Sequence, residues 1–320
     1  IKGVMDTAMR AGVERDIGHE YITGFEERMT EQARNTLPTK WDSINELMDG
    51  GLAGGELGVV VAPAGIGKSW TLQALGAEAV KNGKTVIHYT LELNAEYVGL
   101  RYDTIVSGQP TGNLQYYKEE VLQAINKLKG NLIIKYYPTR TASVATLTAH
   151  LQQCELQGIK PDLVLVDYAD IMKSTSNFTE KRHQIGHIYE ELRGMAGEFQ
   201  IPIWTASQAN RSSLEEDVIG ADKVSEDYSK VMTADFVMSM SRKVEDKIAN
   251  TGRFHVIKNR FGPDGITFPA TINTNTGYIM IYDSTTVGGK EVQGKMNNAD
   301  EYIRKTLSQK KKDFDNDGFE

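Results

Sequence analysis

The most informative stretch of the chain contains Ala62-Pro-Ala-Gly-Ile-Gly-Lys-Ser69, between two segments of contrasting pattern. The preceding run, Leu57-Gly-Val-Val-Val, has the composition of a buried strand, and Trp70-Thr-Leu-Gln-Ala-Leu has helical spacing. A strand, a glycine-rich loop ending in Gly-Lys-Ser and a helix form the pattern of a phosphate-binding loop, although Ala62 replaces its first glycine. Backbone N–H groups at a helix start can cradle phosphate oxygens. We therefore predict a nucleoside triphosphate site, the alternative being a chance glycine-rich turn.

The predicted nucleotide site consists of consecutive residues with distinct roles. The expected binding residues are Ala64, Gly65, Ile66, Gly67, Lys68, Ser69 and Trp70. The Lys68 ammonium is expected to reach the β and γ phosphates of ATP or another nucleoside triphosphate. The Ser69 hydroxyl is expected to hold Mg²⁺.

A phosphate loop needs a second acidic group for the metal, and Asp167 is the candidate. The run Leu163-Val-Leu-Val consists of four apolar residues and ends at Asp167. Such a strand delivers its carboxylate to the C-terminal edge of a parallel sheet, where nucleotides bind. The alternative is an aspartate that ends the strand and caps the next turn.

Hydrolysis also needs a group that orients the attacking water. Glu92 ends the strand that follows the phosphate-loop helix, so we expect it at the same edge as Asp167. From position alone, a surface glutamate that caps the next helix is an equal alternative. Gln208 and Asn210 follow the predicted strand 201–207, where an amide can sense the γ-phosphate. The alternative for these two is a polar turn.

Two cations stand near the end of a predicted strand in Val256-Ile-Lys-Asn-Arg-Phe-Gly. Lys258 and Arg260 are two residues apart, so on a strand they point to the same side. Such a pair can reach a phosphate in a neighbouring subunit as an arginine finger. An exposed basic hairpin is the alternative that spacing alone favours.

Strands alternate with helices from residue 57 to 207, which predicts a parallel sheet covered by helices on both faces. Short strands near 236–241, 253–258, 266–270 and 278–282 predict an antiparallel extension of that sheet. The predicted fold is thus α/β. Two long segments without apolar periodicity, 173–182 and 211–229, are typical of functional or mobile loops.

The composition is that of a soluble globular protein: 320 residues, 40% hydrophobic and 25% charged. No apolar run approaches roughly 18 residues, so we expect no transmembrane helix. The single cysteine, Cys154, excludes an internal disulfide and is predicted to pack on a helix in a reducing, intracellular setting. A net charge of −7 argues against a broadly basic nucleic-acid surface but leaves room for a local basic channel.

We predict three segments: an arm at 1–35 with an amphipathic helix over 1–12, a nucleotide-binding domain at 36–286, and a polar, flexible tail at 287–320. The chain starts at Ile1 rather than methionine, which we interpret as a trimmed or processed fragment. Near the other end, Asp313, Asp315 and Asp317 resemble the opening of an EF-hand loop. Because the twelfth loop position is lacking, we expect a solvated acidic tail rather than a calcium site.

Taken together, five motifs resemble the hexameric replicative DNA helicases of the DnaB type, and among them those of T4-like bacteriophages. The motifs are Gly58-Val-Val-Val-Ala-Pro-Ala-Gly-Ile-Gly-Lys-Ser, Tyr89-Thr-Leu-Glu-Leu with Arg101 downstream, Leu165-Val-Asp-Tyr-Ala-Asp-Ile-Met, Pro202-Ile-Trp-Thr-Ala-Ser-Gln-Ala-Asn-Arg and Val256-Ile-Lys-Asn-Arg-Phe-Gly-Pro-Asp-Gly. Their order and spacing are more specific than any single motif. His19-Glu-Tyr and Phe25-Glu-Glu-Arg also look like the linker of the phage proteins.

This resemblance implies a RecA-like ATPase that unwinds DNA as a six-membered ring on single-stranded DNA, in the host cytoplasm if viral. It implies Glu92 as catalytic base and Gln208 as γ-phosphate sensor, with Lys258 and Arg260 acting on the adjacent subunit's nucleotide. The loops near 173–183 and 211–229 are expected to face DNA, the implied contact residues being Lys181, Arg182, Arg211, Ser225, Glu226 and Ser229. Other implied partners are a primase and a helicase loader.

Two other functions remain open on the same core. One is a RecA-type recombinase filament, which the helicase-like signatures around Asp167 and Lys258 disfavour. The other is a scaffold whose assembly is switched by a nucleoside triphosphate without DNA. The effect of DNA on the hydrolysis rate separates that scaffold from the helicase.

Overall fold

The computed structural model describes residues 18, 20–30, 34–210, 213–214, 216–223 and 229–298. The chain divides into two compact units, 1–35 and 36–320. In the first unit, helix α1 spans Phe25–Thr30. The amphipathic helix predicted over 1–12 and the acidic segment near 313–317 lie outside the described residues.

The second unit contains eleven described strands. In chain order they are β1 (Thr36–Leu37), β2 (Leu52–Ala53), β3 (Leu57–Ala62), β4 (Thr85–Thr90), β5 (Asn131–Tyr136), β6 (Leu163–Asp167), β7 (Ile203–Gln208), β8 (Phe236–Ser241), β9 (Thr251–Asn259), β10 (Thr267–Asn273) and β11 (Tyr278–Ile281). The helices are α2 (Asp42–Leu47), α3 (Lys68–Lys81), α4 (Ala95–Ser107), α5 (Lys118–Asn126), α6 (Val144–Leu156), α7 (Lys181–Phe199), α8 (Ser229–Thr233), α9 (Val244–Ala249) and α10 (Val287–Asn297). Short 3₁₀ turns span Thr111–Tyr116, Ala169–Ile171 and Ala221–Lys223.

Nine strands form one sheet in the order β11-β10-β9-β8-β3-β7-β6-β4-β5. The six strands from β8 to β5 pair in parallel, and β9, β10 and β11 extend the sheet in antiparallel fashion. The predicted α/β fold with a mostly parallel sheet is confirmed. One assignment is wrong: the strand near 236–241, placed in the extension, pairs in parallel with β3 and forms the junction. Its short apolar pattern does not reveal which neighbour it will have.

The sheet is covered on both faces, because successive side chains of a strand point to opposite sides. Along β3, Val59 and Val61 belong to one hydrophobic cluster with residues of α6 and α7. Val60 and Ala62 belong to a second cluster with residues of α3. Because both faces of β3 are buried, its sequence is a continuous apolar run rather than an alternation of apolar and polar residues.

The end of the described chain differs from the predicted flexible tail. Helix α10 covers Val287–Asn297, and its Thr286 cap accepts a hydrogen bond from the Gly289 N–H. Val292 and Met296, four residues apart on one face, are buried. Two apolar residues at helical spacing therefore dock a segment whose average composition is polar.

Cys154 is buried on α6, as predicted. No helix in the described part of the chain has the length and apolar character needed to cross a membrane.

Candidate nucleotide site

The phosphate loop connects β3, which ends at Ala62, to α3, which begins at Lys68. Gly65 and Gly67 have φ angles of 73° and 124°, in the region that side-chain-bearing residues rarely adopt. The glycines therefore allow the loop to fold back at the helix N-terminus, beside a pocket of about 360 Å³.

This pocket gathers residues from six segments of the domain. Its lining consists of Ala64, Gly65, Gly67, Lys68, Ser69, Trp70, Glu92, Leu93, Arg101, Tyr168, Gln208 and Thr274. Six of the seven predicted nucleotide-binding residues are among them. The exception is Ile66, whose side chain is 1% exposed and packs in the core instead.

Lys68 extends along the loop from the first turn of α3. Its Nζ lies 3.4 Å from the Pro63 carbonyl oxygen and 5.5 Å from the centroid of the Tyr168 ring. Burial lowers the pKa of Lys68, while the charges of Asp167, Glu92 and Asp170 oppose that shift. A phosphate in the pocket would act in the same direction as these carboxylates, because an anion favours the charged ammonium.

Asp167 ends β6 and is 1% exposed. Burial raises its pKa to about 6, although a hydrogen bond from the Ser69 side chain opposes that rise. Its Oδ1 is buried without a hydrogen-bond partner among the described residues. A buried carboxylate oxygen without a partner is unfavourable, and a cation beside Ser69 would satisfy it. Ser69 and Asp167 therefore fit Mg²⁺ with oxygen ligands.

Glu92 lies two residues beyond the end of β4. In the sheet, Thr90 of β4 pairs with Asp167 of β6, so both strands deliver their acids to one edge. The helix-capping alternative is not what the structure contains, because the Asn94 side chain accepts the capping hydrogen bond from the Tyr97 N–H. The Glu92 side chain instead lines the pocket, where it is exposed to solvent.

Gln208 is the last residue of β7 and also lines the pocket. The Tyr168 hydroxyl donates to its Oε1 over 3.4 Å, and its backbone N–H donates to Asp170 over 3.0 Å. Gln208 is thus held by Tyr168 through its side chain and by Asp170 through its backbone. Asn210 does not line the pocket, and its N–H bonds the carbonyl of Lys223.

Four lining residues were not predicted as nucleotide contacts: Leu93, Arg101, Tyr168 and Thr274. The Arg101 guanidinium carbon lies 4.9 Å from the Trp70 ring centroid and 5.2 Å from that of Tyr97, and its Nε is buried without a hydrogen-bond partner among the described atoms. Tyr168 directly follows Asp167, so its place near the pocket could have been predicted from the sequence. Thr274 lies in the turn after β10 and carries no signal in the sequence.

Lys258 and Arg260 are not among the residues lining the pocket of their own chain. Lys258 Nζ donates to the carbonyls of Val231 and Met232, over 3.0 and 2.6 Å. Burial lowers the pKa of Lys258. The Arg260 side chain is 62% exposed. The action of both cations on an adjacent subunit stays a prediction.

The predicted DNA-facing residues are only partly within the described chain. Lys181 and Arg182 begin α7, and Arg182 Nε lies 2.7 Å from a Glu180 carboxylate oxygen. Ser229 begins α8. Arg211, Ser225 and Glu226 lie outside the described residues. A second pocket of about 350 Å³ beside α7 is lined by residues that include Arg140, Asp170, Lys173, Ser174, Ser176 and Lys181.

A phosphate loop at the C-terminal edge of a mostly parallel sheet, with acids from two neighbouring strands, defines a RecA-like nucleotide-binding domain. Residues 36–274 match the family described as DnaB-like helicase C terminal domain, and the chain belongs to this family.

Two relatives show how much of a full-length protein this chain represents. It is 27% identical over 276 residues to the DnaB-like replicative helicase of Enterobacteria phage T4, covering 82% of this chain and 58% of that protein. It is 24% identical over 245 residues to the replicative DNA helicase DnaB of Leifsonia xyli subsp. xyli (strain CTCB07), covering 71% and 52%. The chain therefore spans little more than half the length of these relatives.

Two solved structures support the fold. One, described as an ATPase domain, superposes with a TM-score of 0.69 at 16% identity, covering 82% of this chain and 97% of that one. The other is a DnaB-like replicative helicase, solved in a study of its interactions with primase. It gives a TM-score of 0.69 at 17% identity, covering 88% of this chain and 72% of that one.

Proposed function

We propose that this chain is the motor domain of a replicative DNA helicase, which couples ATP hydrolysis to movement along single-stranded DNA. The observation that carries the proposal is one pocket that unites the phosphate loop, Glu92 and Gln208, with Asp167 beside Ser69. Membership of the DnaB-like family supports the same activity. The matching relatives are described as helicases, which disfavours the recombinase alternative.

Within the pocket, each residue has a separate task. Lys68 binds the β and γ phosphates, and Ser69 and Asp167 hold Mg²⁺. When bound, the ion supplies charge neutralisation on the phosphates. Glu92 accepts a proton from the attacking water, and its accessibility at the pocket mouth leaves room for that water. Gln208 contacts the γ-phosphate.

We propose that the active assembly is a hexameric ring in which Lys258 and Arg260 complete the site of the neighbouring subunit. In support, neither cation lines its own pocket, and the Arg260 side chain is largely exposed. A guanidinium inserted at the γ-phosphate stabilises the charge of the transition state. Hydrolysis would then require two subunits.

We propose that the loops near 173–183 and 211–229 contact single-stranded DNA in the ring. Lys181, Arg182 and Lys173 supply cations on and beside the second pocket, while the whole chain carries a net charge of −7. Local cations and backbone N–H groups would bind phosphates without sequence preference. A primase and a helicase loader in the cytoplasm are further proposed partners.

The first test is steady-state ATP hydrolysis with and without single-stranded DNA, over a range of protein concentrations. Strong stimulation with a cooperative dependence on concentration supports composite sites coupled to DNA. Unchanged hydrolysis in samples shown to be oligomeric favours the scaffold. Assays of fork unwinding and of strand exchange then distinguish a helicase from a recombinase. The affinity for single-stranded DNA should fall steeply as the salt concentration rises.

A further inference from the structure

The turn that carries Glu92 follows β4, and hydrogen bonds hold it on both sides of that residue. On one side, the Leu91 N–H donates to the Asp167 carbonyl oxygen over 2.8 Å. The buried Thr90 hydroxyl donates to the Leu93 carbonyl oxygen over 2.7 Å and accepts from the Leu93 N–H over 3.3 Å. The Thr90 side chain therefore closes a turn that contains Glu92.

A second threonine reaches this turn from the loop after β5. The Thr139 hydroxyl donates to the Leu91 carbonyl oxygen over 2.8 Å, although the two residues are 48 positions apart in the sequence. Leu91 is fully buried, so water does not reach its carbonyl, and a buried carbonyl without a donor is unfavourable. Thr139 itself is exposed, so the loss of its hydroxyl leaves the packing of the core intact.

The loop that carries Thr139 is held on both sides of this residue. Before it, the Tyr137 N–H donates to the Thr90 carbonyl oxygen over 3.0 Å. After it, the Arg140 N–H donates to the Ile171 carbonyl oxygen over 3.0 Å. The Thr139 hydroxyl thus approaches the turn 91–93 from a loop that is fixed to the ends of two neighbouring strands, β4 and β6.

The Glu92 carboxylate has no comparable support of its own. It is exposed, and no hydrogen bond to this side chain is present among the residues that the structure describes. Its distance from an attacking water therefore depends on the backbone of the turn 91–93. A general base acts only within hydrogen-bond reach, and a misplacement of about 1 Å can lower a rate on the order of 10²-fold.

We propose that Thr90 and Thr139 are positioning residues for hydrolysis, which hold the turn 91–93 so that Glu92 reaches the attacking water. The inference rests on the proposed function, in which Glu92 is the general base. Neither threonine lines the nucleotide pocket, so each acts on Glu92 through the backbone and not on the nucleotide. Loss of either hydroxyl should therefore lower the rate of hydrolysis without weakening the binding of ATP.

The test measures steady-state ATP hydrolysis in the presence of single-stranded DNA. The affinity for a fluorescent ATP analogue and the thermal unfolding of every variant are recorded as well. Thr139→Val keeps the size of the side chain but lacks the hydroxyl, so it should lower kcat on the order of 10²-fold and leave the nucleotide affinity unchanged. Thr139→Ser retains a donor and should keep kcat near the wild-type value. Thr90→Val should show the same selective loss of kcat as Thr139→Val.

Thr141→Val is the matched control, with the same chemical change in the same loop. The Thr141 hydroxyl donates to the Pro138 carbonyl oxygen over 2.6 Å, within the loop, so its removal should leave kcat at the wild-type value. Wild-type kcat in Thr139→Val, with hydrolysis lost in Glu92→Gln, would overturn the inference alone.

Three further results would count against the role of the two threonines. An equal loss of kcat in Thr141→Val, or in Thr139→Ser, would show that the hydroxyl of Thr139 is not what matters. A loss of nucleotide affinity as large as the loss of kcat would indicate general damage to the site. Wild-type hydrolysis by Glu92→Gln, or a wild-type chain that does not hydrolyse ATP, would overturn the proposed function together with the inference.

Discussion

The exposed guanidinium of Arg260 is held by a buried acid, Asp235, at a distance of 2.8 Å. The Asp235 side chain is 2% exposed and also accepts hydrogen bonds from Arg193 and from the Leu57 N–H. Burial raises the pKa of Asp235, but the bonds from Arg193, Leu57 and Arg260 outweigh it and lower the pKa overall. A buried carboxylate directly before β8, with a lowered pKa, thus holds the exposed Arg260 side chain.

Arg260→Ala should leave nucleotide binding intact and lower ATP hydrolysis by at least about 10³-fold, as for other arginine fingers. The reason is that the proposed contact forms only with the transition state in the adjacent subunit. Binding of a fluorescent nucleotide and steady-state hydrolysis measure the two effects separately.

Mixing Arg260→Ala chains with Lys68→Ala chains should restore part of the activity, because some interfaces then combine an intact loop with an intact finger. Arg193→Ala serves as the control for a general disturbance around Asp235, because it removes the other arginine that hydrogen-bonds to this carboxylate. Absence of rescue at every mixing ratio would contradict the action in trans.

Glu92→Gln should retain nucleotide binding and reduce hydrolysis by roughly 10²- to 10⁴-fold, the usual contribution of a general base. The amide keeps the shape of the side chain but cannot take a proton from water. Glu96→Gln, in the first turn of α4, is the control with the same chemical change outside the pocket. Hydrolysis by Glu92→Gln at the wild-type rate would remove Glu92 from the proposed mechanism.

His88 should make the protein less stable in mild acid. It is fully buried on β4, its Nδ1 lies 2.8 Å from the Tyr102 hydroxyl, and burial lowers its pKa from 6.5 to about 3. Below pH 6.5, His88 binds a proton in the unfolded chain but stays neutral in the folded chain. The free energy of unfolding therefore falls as pH decreases. Between about pH 7 and pH 5 the loss from this group is about 2 kcal/mol.

Denaturant unfolding at about pH 7 and pH 5 measures this loss. His88→Gln should shrink the difference in unfolding free energy between the two pH values, whereas His183→Gln, at an exposed histidine, should not. An unchanged difference in His88→Gln would assign the acid sensitivity to other groups.

Gly58→Ala should destabilise the fold by roughly 1–3 kcal/mol, the cost of overpacking a core. A Cβ at this position would lie 2.6 Å from the Trp204 ring on the neighbouring strand β7. Gly194→Ala is the contrasting variant, because nothing lies within 4 Å of the added carbon on α7. It should stabilise the helix by up to about 1 kcal/mol, and thermal unfolding compares the two.

Much of the candidate site could be predicted because its parts are local in sequence. The phosphate loop, with Lys68 and Ser69, needs only one strand, one turn and one helix start. Asp167 and Gln208 each follow an apolar run, and parallel strands that alternate with helices end at a common edge. These positions follow from periodicity and from the direction of the chain.

Other features could not be predicted from the sequence because they depend on neighbours in space. The junction strand β8 has the same short apolar pattern as the antiparallel strands, and only its pairing with β3 distinguishes it. Helix α10 was not predicted, because the average composition of its segment is polar. Its buried apolar side chains are those of Val292 and Met296.

The sequence by itself determined the chemical class of the site and the order of its elements, because composition, spacing and chain direction act over short distances. Only the tertiary structure made β4 and β6 direct neighbours, brought Arg101 onto Trp70, and paired Lys230 with Asp170. Strand register and side-chain packing join residues distant along the chain, and the free energy of those contacts exists only once the sheet and its two covering layers have formed.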